Sequence, residues 1–203
     1  MKEGKDPEEV SALRSKRIGI FGGSFDPVHE GHIYLATLAK AEADLDEVWF
    51  LPCQISPHKL ATPPSSTQVR VEALNLAIRD LPWARVDQTE VGIDGPSYSY
   101  LTLQKLDKKF PNHEWFWIMG GDQWKMLPKW MQPQKLAELA SFIVMVRNGQ
   151  AVYPMPGYRM QVVTGEHPAS ATSIRQALAK GEQEIPYLDP KVGRLLRFSK
   201  GNL

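Results

Sequence analysis

An α/β fold built on a doubly wound parallel sheet follows from two features of this sequence. Strand-length apolar runs at residues 17–21, 47–52, 114–119 and 141–146 alternate with amphipathic segments of helix length. The runs are apolar at nearly every position rather than at every second one, the pattern of strands covered on both faces. With 203 residues the chain fits one domain, because single cores stop growing near about 250 residues. No internal repeat is visible, and crossovers between parallel strands are expected to be right-handed.

The elements follow in order. Residues 17–21 form a first strand ended by Gly22 and Gly23. Residues 31–43 put Ile33, Ala36, Leu38 and Ala39 at helical spacing. Residues 47–52 form a second strand closed by Pro52, and residues 53–66, rich in Pro and Ser, form a long loop of the kind that carries function or motion. The helical pattern resumes from Thr67 through Val69, Leu74, Ala77, Ile78 and Leu81, and residues 84–91 read as a strand. Residues 97–110 form a helix with Leu101, Leu103 and Leu106 inward, stopped by Pro111. The aromatic strand 114–119, with Trp115 and Trp117 as core residues, leads into Gly120-Gly121-Asp122. Residues 133–140 are helical and 141–146 a buried strand; a short strand spans 160–163. Residues 172–180 form a helix with Gly181 in the C′ position, and residues 189–198 a last amphipathic helix.

Composition narrows the function classes. A hydrophobic share of 42% with 23% charged residues is that of a globular chain rather than a disordered one. The net charge of +1 gives no global signature of a nucleic-acid or membrane-surface partner. The single cysteine, Cys53, excludes an internal disulfide and fits a reducing compartment. Residues 1–16 are charged and lack the apolar middle of a secretory signal, so they read as a polar extension before a domain spanning 17–203, and the expected location is the cytoplasm. A homo-oligomer is left open.

In doubly wound sheets ligands bind beyond the carboxyl ends of the strands. The first strand is followed by Gly22-Gly-Ser-Phe-Asp-Pro-Val-His-Glu-Gly-His32. The glycines permit close approach of a phosphate to backbone N–H groups. His29 and His32, three residues apart at a helix start, share one face where the helix end is electropositive. The segment is neither the dinucleotide fingerprint nor a P-loop. Taken alone, the histidines also fit a glycine turn with surface imidazoles, or half of a metal site, although no Cys or further His lies nearby to complete a zinc tetrad.

The same residues resemble the H-x-G-H signature of the nucleotidyltransferase superfamily of adenylyl and cytidylyl transferases. Their form is similar to that of bacterial nicotinate mononucleotide adenylyltransferases. Four further blocks extend the resemblance over nearly the whole chain from Arg17: Ser56-Pro-His-Lys59, Pro96-Ser-Tyr-Ser99 with Thr102-Leu103, Gly120-Gly-Asp122 with Leu127-Pro-Lys-Trp130, and Ser170-Ala-Thr-Ser-Ile-Arg175. It implies a Rossmann-like nucleotidyltransferase domain and adenylyl transfer from ATP to nicotinate mononucleotide. The products would be nicotinate adenine dinucleotide and pyrophosphate, a step of NAD biosynthesis. ATP would contact Gly22, Gly23, Ser24, Phe25, His29, His32, Gly120, Asp122, Ser170, Thr172, Ser173 and Arg175. The mononucleotide would contact Ser24, Phe25, Lys59, Ser97, Tyr98, Ser99 and Trp130. The catalytic set would be His29, His32, Lys59 and Arg175, with Mg²⁺ arriving on ATP and no protein metal site.

Each block has a physical task under this reading. The helix opened by Ser170 and Thr172 offers its positive end, with Arg175, to the β- and γ-phosphates; by itself it reads first as a plain capped helix with a surface arginine. Lys59, which alone reads as a solvated loop lysine, would close over the triphosphate as a point charge, Asp122 would bind a ribose hydroxyl or cap a turn, and Trp130 would stack on the pyridine ring or fill the core. The nucleophile, a 5′-phosphate, is already an anion, so no catalytic base is required. The sequence departs from the family pattern at Ala169, Ala171, Leu101 and Met131. The last two leave the choice between nicotinate and nicotinamide mononucleotide open. A pantetheine-phosphate adenylyltransferase is disfavoured by length and by the Leu127–Trp130 block. A non-catalytic nucleotide-binding module on the same fold is disfavoured by the presence of both histidines with Arg175.

Overall fold

A computed structural model describes residues 15–56 and 64–200. Its six strands, β1 (Arg17–Gly23), β2 (Glu47–Pro52), β3 (Ala84–Val86), β4 (Glu114–Gly120), β5 (Ala140–Val146) and β6 (Met160–Thr164), form one sheet in the order β3-β2-β1-β4-β5-β6. Every neighbouring pair is parallel. Chain direction across the sheet reverses between β1 and β4, whose register sets Ile18 against Trp115. In such sheets that switch point is where the strand-end loops diverge and leave a crevice.

Strands that are apolar on both faces need two covering layers, and the core divides accordingly. On one face Val48, Phe50, Phe116, Ile118 and Ile143 are packed by α1 (Glu30–Glu42), α2 (Thr67–Ile78), α6 (Ala171–Ala179) and α7 (Pro190–Lys200). On the other, Ile18, Ile20, Trp49, Trp117 and Val144 are packed by α3 (Ser99–Lys109), α4 (Gly121–Met126) and α5 (Pro133–Leu139). Trp115 and Trp117 are buried in the second cluster, as the apolar context of their strand requires. Asp189 caps α7, its Oδ1 accepting from the Lys191 N–H at 2.7 Å, with Pro190 in the first turn.

Three expectations need correction. Strand β3 stops at Val86 rather than 91. Asp87 turns the chain, its Oδ1 accepting the Thr89 N–H at 3.0 Å, and the Val91 N–H closes a turn onto Gln88 at 2.9 Å. Leu101 does not face inward: α3 starts at Ser99, its buried stripe is Thr102, Leu103 and Leu106, and Leu101 is 42% exposed. Third, the sequence places no helix after β4, but α4 starts at Gly121 with Gly120 just before it, followed by a 3-10 turn at Leu127–Lys129. Two glycines argue against a helix locally. Burial of Trp124, whose ring meets Phe142 edge-on at 5.6 Å, overrides that preference. Among the described residues, no helix is long and apolar enough to cross a membrane.

Candidate active site

The loop leaving β1 passes over the sheet's carboxyl edge and enters α1. Phe25 takes a left-handed conformation, φ 48°, which drops its ring into the core against Phe21, Phe50 and His32. At the start of α1 the His29 and His32 rings stack, with centroids 3.8 Å apart. The His29 backbone N–H donates to His32 Nδ1 at 3.2 Å. That bond commits Nδ1 as acceptor, so a neutral His32 carries its proton on Nε2 and offers it to a ligand. His29 Nδ1 is buried without a hydrogen-bond partner among the described residues.

Burial pushes His29 down to about 4, with His167 adding repulsion, and pushes His32 down to about 3, with His29 adding repulsion. Both rings are therefore neutral donors at pH 7, ready to gain charge when an anion replaces water beside them. The sign for stability follows. Below the ordinary value of about 6.5 the unfolded chain takes up protons that the folded chain does not, so stability falls from about pH 6.5 toward pH 4. With a discount for the solvent that still reaches both rings, the loss is about 2 kcal/mol, or about 6 °C in Tm. Thermal melts from pH 7 to about pH 4 should show this fall in the wild type and a flatter profile in a His29→Gln/His32→Gln double variant.

Helix α6 meets the same loop. Arg175 Nη1 donates to the Asp26 carbonyl at 2.6 Å and Nη2 to Thr172 Oγ1 at 3.3 Å. The approach to α6 is so close that a Cβ on Gly31 would come within 3.1 Å of the His29 ring and 3.3 Å of Ala169 Cβ. His167, just ahead of α6, accepts the Ala169 N–H on Nδ1 at 3.1 Å and packs between Tyr34 and Tyr187. Ser170, Thr172 and Ser173 lie at the N-terminal end of α6, where backbone N–H groups remain open to a ligand. Two helix N-termini thus converge on one loop.

Beside it lies a cavity of about 320 Å³ at the switch point. Gly22, Gly23 and Ser24 form its floor with Leu51 and Cys53, and Ser97, Tyr98 and Ser99 form one wall. Trp130 and Met131 face them from beyond α4, together with Trp117, Gln123 and Lys129. Trp130 packs on the second core cluster, yet its indole Nε1 is buried without a hydrogen-bond partner among the described residues. Asp122 is exposed at the start of α4, its Oδ1 3.4 Å from Gln150 Nε2.

The cytidylyltransferase-like family model matches residues 20–177. The nicotinate-nucleotide adenylyltransferase of Bacillus subtilis (strain 168) is 38% identical over 178 residues, covering 86% of this chain and 92% of its own length. This chain belongs to the nicotinate-nucleotide adenylyltransferase family. A probable member from Methylacidiphilum infernorum is 36% identical over 194 residues, covering 95% of this chain and 94% of the relative. In three dimensions the chain is similar to Plasmodium falciparum nicotinic acid mononucleotide adenylyltransferase complexed with NaAD. The TM-score is 0.73 over 93% of this chain and 97% of that one; at 20% identity this likeness bears on the fold.

Within this adenylyltransferase frame the expected residues fall into two groups. His29, His32, Thr172 and Arg175 meet around the β1–α1 loop, while Gly22, Gly23, Ser24, Ser97, Tyr98, Ser99 and Trp130 line the cavity. Phe25 is 2% exposed, so its ring supports the loop from below and only its backbone is available to a ligand. Gly120 and Asp122 stand at the head of α4, apart from the cavity lining. Lys59 lies outside the described residues. Of the departures from the family pattern, Met131 is in the cavity wall and Leu101 is not. Among the described residues, no cluster of three or more His, Cys, Asp or Glu side chains could hold a metal ion.

Sequence reasoning missed Arg70, Glu90 and His167. Arg70 is 1% exposed and donates to the Ser24, Ser65 and Gln54 carbonyls and to Thr67 Oγ1. The one available signal was a charged residue on the apolar stripe of α2, between Val69 and Val71.

Proposed function

We propose that this protein transfers the adenylyl group of Mg-ATP to nicotinate mononucleotide, forming nicotinate adenine dinucleotide and pyrophosphate. The observation that carries this reading is the meeting of the α1 and α6 N-termini on a loop that opens into an aromatic-walled cavity. The charge-stabilising end and the ring-binding end of the site are contiguous through Ser24.

A 5′-phosphate oxygen of the mononucleotide attacks the α-phosphorus of ATP, and the bond to the bridging oxygen breaks as pyrophosphate leaves with that electron pair. No proton need be removed from the nucleophile. The barrier is the approach of two anions and the charge building on the departing group, which positioned donors lower. His32 Nε2–H and His29 serve the α- and β-phosphates; Arg175, Thr172, Ser173 and the backbone after Ser170 hold the β- and γ-phosphates. Asp122 receives the adenosine ribose, with Gly120 beside it. Mg²⁺ would arrive bound to the triphosphate as part of the substrate and would shield its charge, while Arg175, Thr172 and the α6 N-terminus hold the β- and γ-phosphates. The Ser97–Ser99 turn and Trp130 take the pyridine ring.

Pyrophosphate release from Mg-ATP with each mononucleotide tests the proposal. Rapid release with nicotinate mononucleotide supports it; ATP binding without release from either substrate would leave a nucleotide-binding module. Within this reading Trp130→Ala should raise the mononucleotide KM about tenfold or more, as loss of a ring stack does. The ATP KM should stay within about twofold, because the indole sits on the cavity side of the site. Steady-state titration of each substrate checks the split.

A further inference from the structure

The cavity wall holds an acid that the reaction described above does not use. Glu90 lines the cavity and is 4% exposed. Its Oε1 is 2.6 Å from Thr102 Oγ1, and Ser97 bonds its carboxyl as well. Thr102 Oγ1 also reaches the Tyr98 carbonyl at 3.3 Å, and Ser97 Oγ accepts the Gln54 N–H at 3.0 Å. Thr102 has one hydroxyl proton. If Glu90 is protonated it donates to Thr102, which donates onward to Tyr98, and both contacts are made together. If Glu90 is ionised, Thr102 must turn its hydroxyl proton to the carboxylate, and the Tyr98 carbonyl keeps only the Thr102 backbone N–H at 3.1 Å. The wall segment Ser97–Ser99 is therefore wired to the proton on Glu90.

A second carboxylate is due in the same cavity. Nicotinate mononucleotide carries one on its ring, where nicotinamide mononucleotide carries an uncharged carboxamide. An anionic Glu90 would oppose the first and not the second, at close quarters and away from bulk water. We propose that Glu90 is a specificity-determining residue, its neutral form admitting the nicotinate carboxylate and its ionised form disfavouring it relative to the carboxamide. The inference rests on the cavity being the pyridine site.

Burial pushes the Glu90 carboxyl upward; the Thr102 and Ser97 hydrogen bonds pull it down, Asp87 pushes it up and Lys105 of α3 pulls it down. Asp87 is itself paired with Arg85 at 3.1 Å, and Lys129, Cys53 and Tyr98 are the other titratable groups of the cavity wall. A raised carboxyl is neutral at low pH and ionises as pH rises, so preference for the acid substrate should fall with rising pH. The ring carboxylate is already ionised throughout, and the phosphate ionisation near about pH 6 is common to both mononucleotides and cancels in their ratio.

The experiment is the ratio of kcat/KM for nicotinate over nicotinamide mononucleotide, measured from about pH 6 to about pH 9. In the wild type it should fall about fivefold or more, a usual size for coupling between two groups, and the change should lie in KM. Glu90→Gln, isosteric and permanently neutral, should keep the ratio high and flat. A flat wild-type ratio overturns the inference, whether or not the variant folds, and so does an undiminished slope in a folded Glu90→Gln. Absence of pyrophosphate release with either substrate at every pH would instead overturn the proposed reaction.

Discussion

His32→Ala should lower turnover about a hundredfold or more, the usual cost of removing one positioned donor to a developing negative charge. The expectation rests on how the ring is held. Its Nδ1 is occupied by the His29 backbone N–H, its face is stacked on His29, and its other flank meets Phe21 and Phe25. A ring gripped on three sides needs little reorganisation to present Nε2–H. The loss should fall on kcat with the ATP KM within about threefold, because the donor matters most as charge builds on the leaving group. Steady-state kinetics on purified variant check this, and turnover within about threefold of wild type would remove His32 from the chemistry. His29→Ala should cost less, since that imidazole loses one partner rather than the one held in register.

Arg70→Met should destabilise the fold by about 3–5 kcal/mol, the range for breaking a buried charged network on one side. Its guanidinium satisfies the Ser65 carbonyl at 2.9 Å, Ser24 at 2.8 Å and Gln54 at 3.3 Å, with Thr67 Oγ1 at 2.9 Å. Methionine fills much of the volume but donates nothing, so three carbonyls lose a partner, those of Ser24 and Gln54 in half-buried surroundings. A fall in Tm of about 10 °C or more is expected by calorimetry. A fall under about 3 °C would mean those carbonyls find water. Arg70→Lys should recover only part, because an ammonium cannot reproduce a planar fork bonded in four directions. The Ser24 carbonyl belongs to the loop that floors the cavity, so mononucleotide KM should rise in parallel.

How much of this was legible in the sequence depends on where the determinants lie. Strands such as β2, β4 and β5 declare themselves because every position is apolar, and that requires no knowledge of neighbours. The site blocks are legible for a different reason: glycines, histidines and a serine at a helix start occur at the spacings of motifs that the sequence resembles. What stayed hidden depends on distant partners. Helix α4 opens on two glycines and exists because Trp124 finds Phe142. Leu101 looked inward because it is apolar, but the face of α3 is set by Leu103 and Leu106. Glu90 and Arg70 look like solvated charges until the residues packed around them are known. Local pattern reports the backbone's preferences, whereas buried polar groups answer to tertiary partners.

The strand order has a consequence for how the protein comes to exist. β1 is the first of the described strands to be synthesised, yet it lies inside the sheet, and one of its two neighbours is β4, reached only at Glu114. The Arg175–Asp26 bond that draws α6 onto the β1–α1 loop spans 149 positions. During synthesis the β1–α1 loop therefore emerges early and waits, one edge of its strand open, for partners still to be made. Long-range pairing of this kind folds slowly and exposes unpaired edges in the interval. The β1–α1 loop is the part of the sheet edge that spends longest unfinished, because its contact with Arg175 waits until α6 has been made.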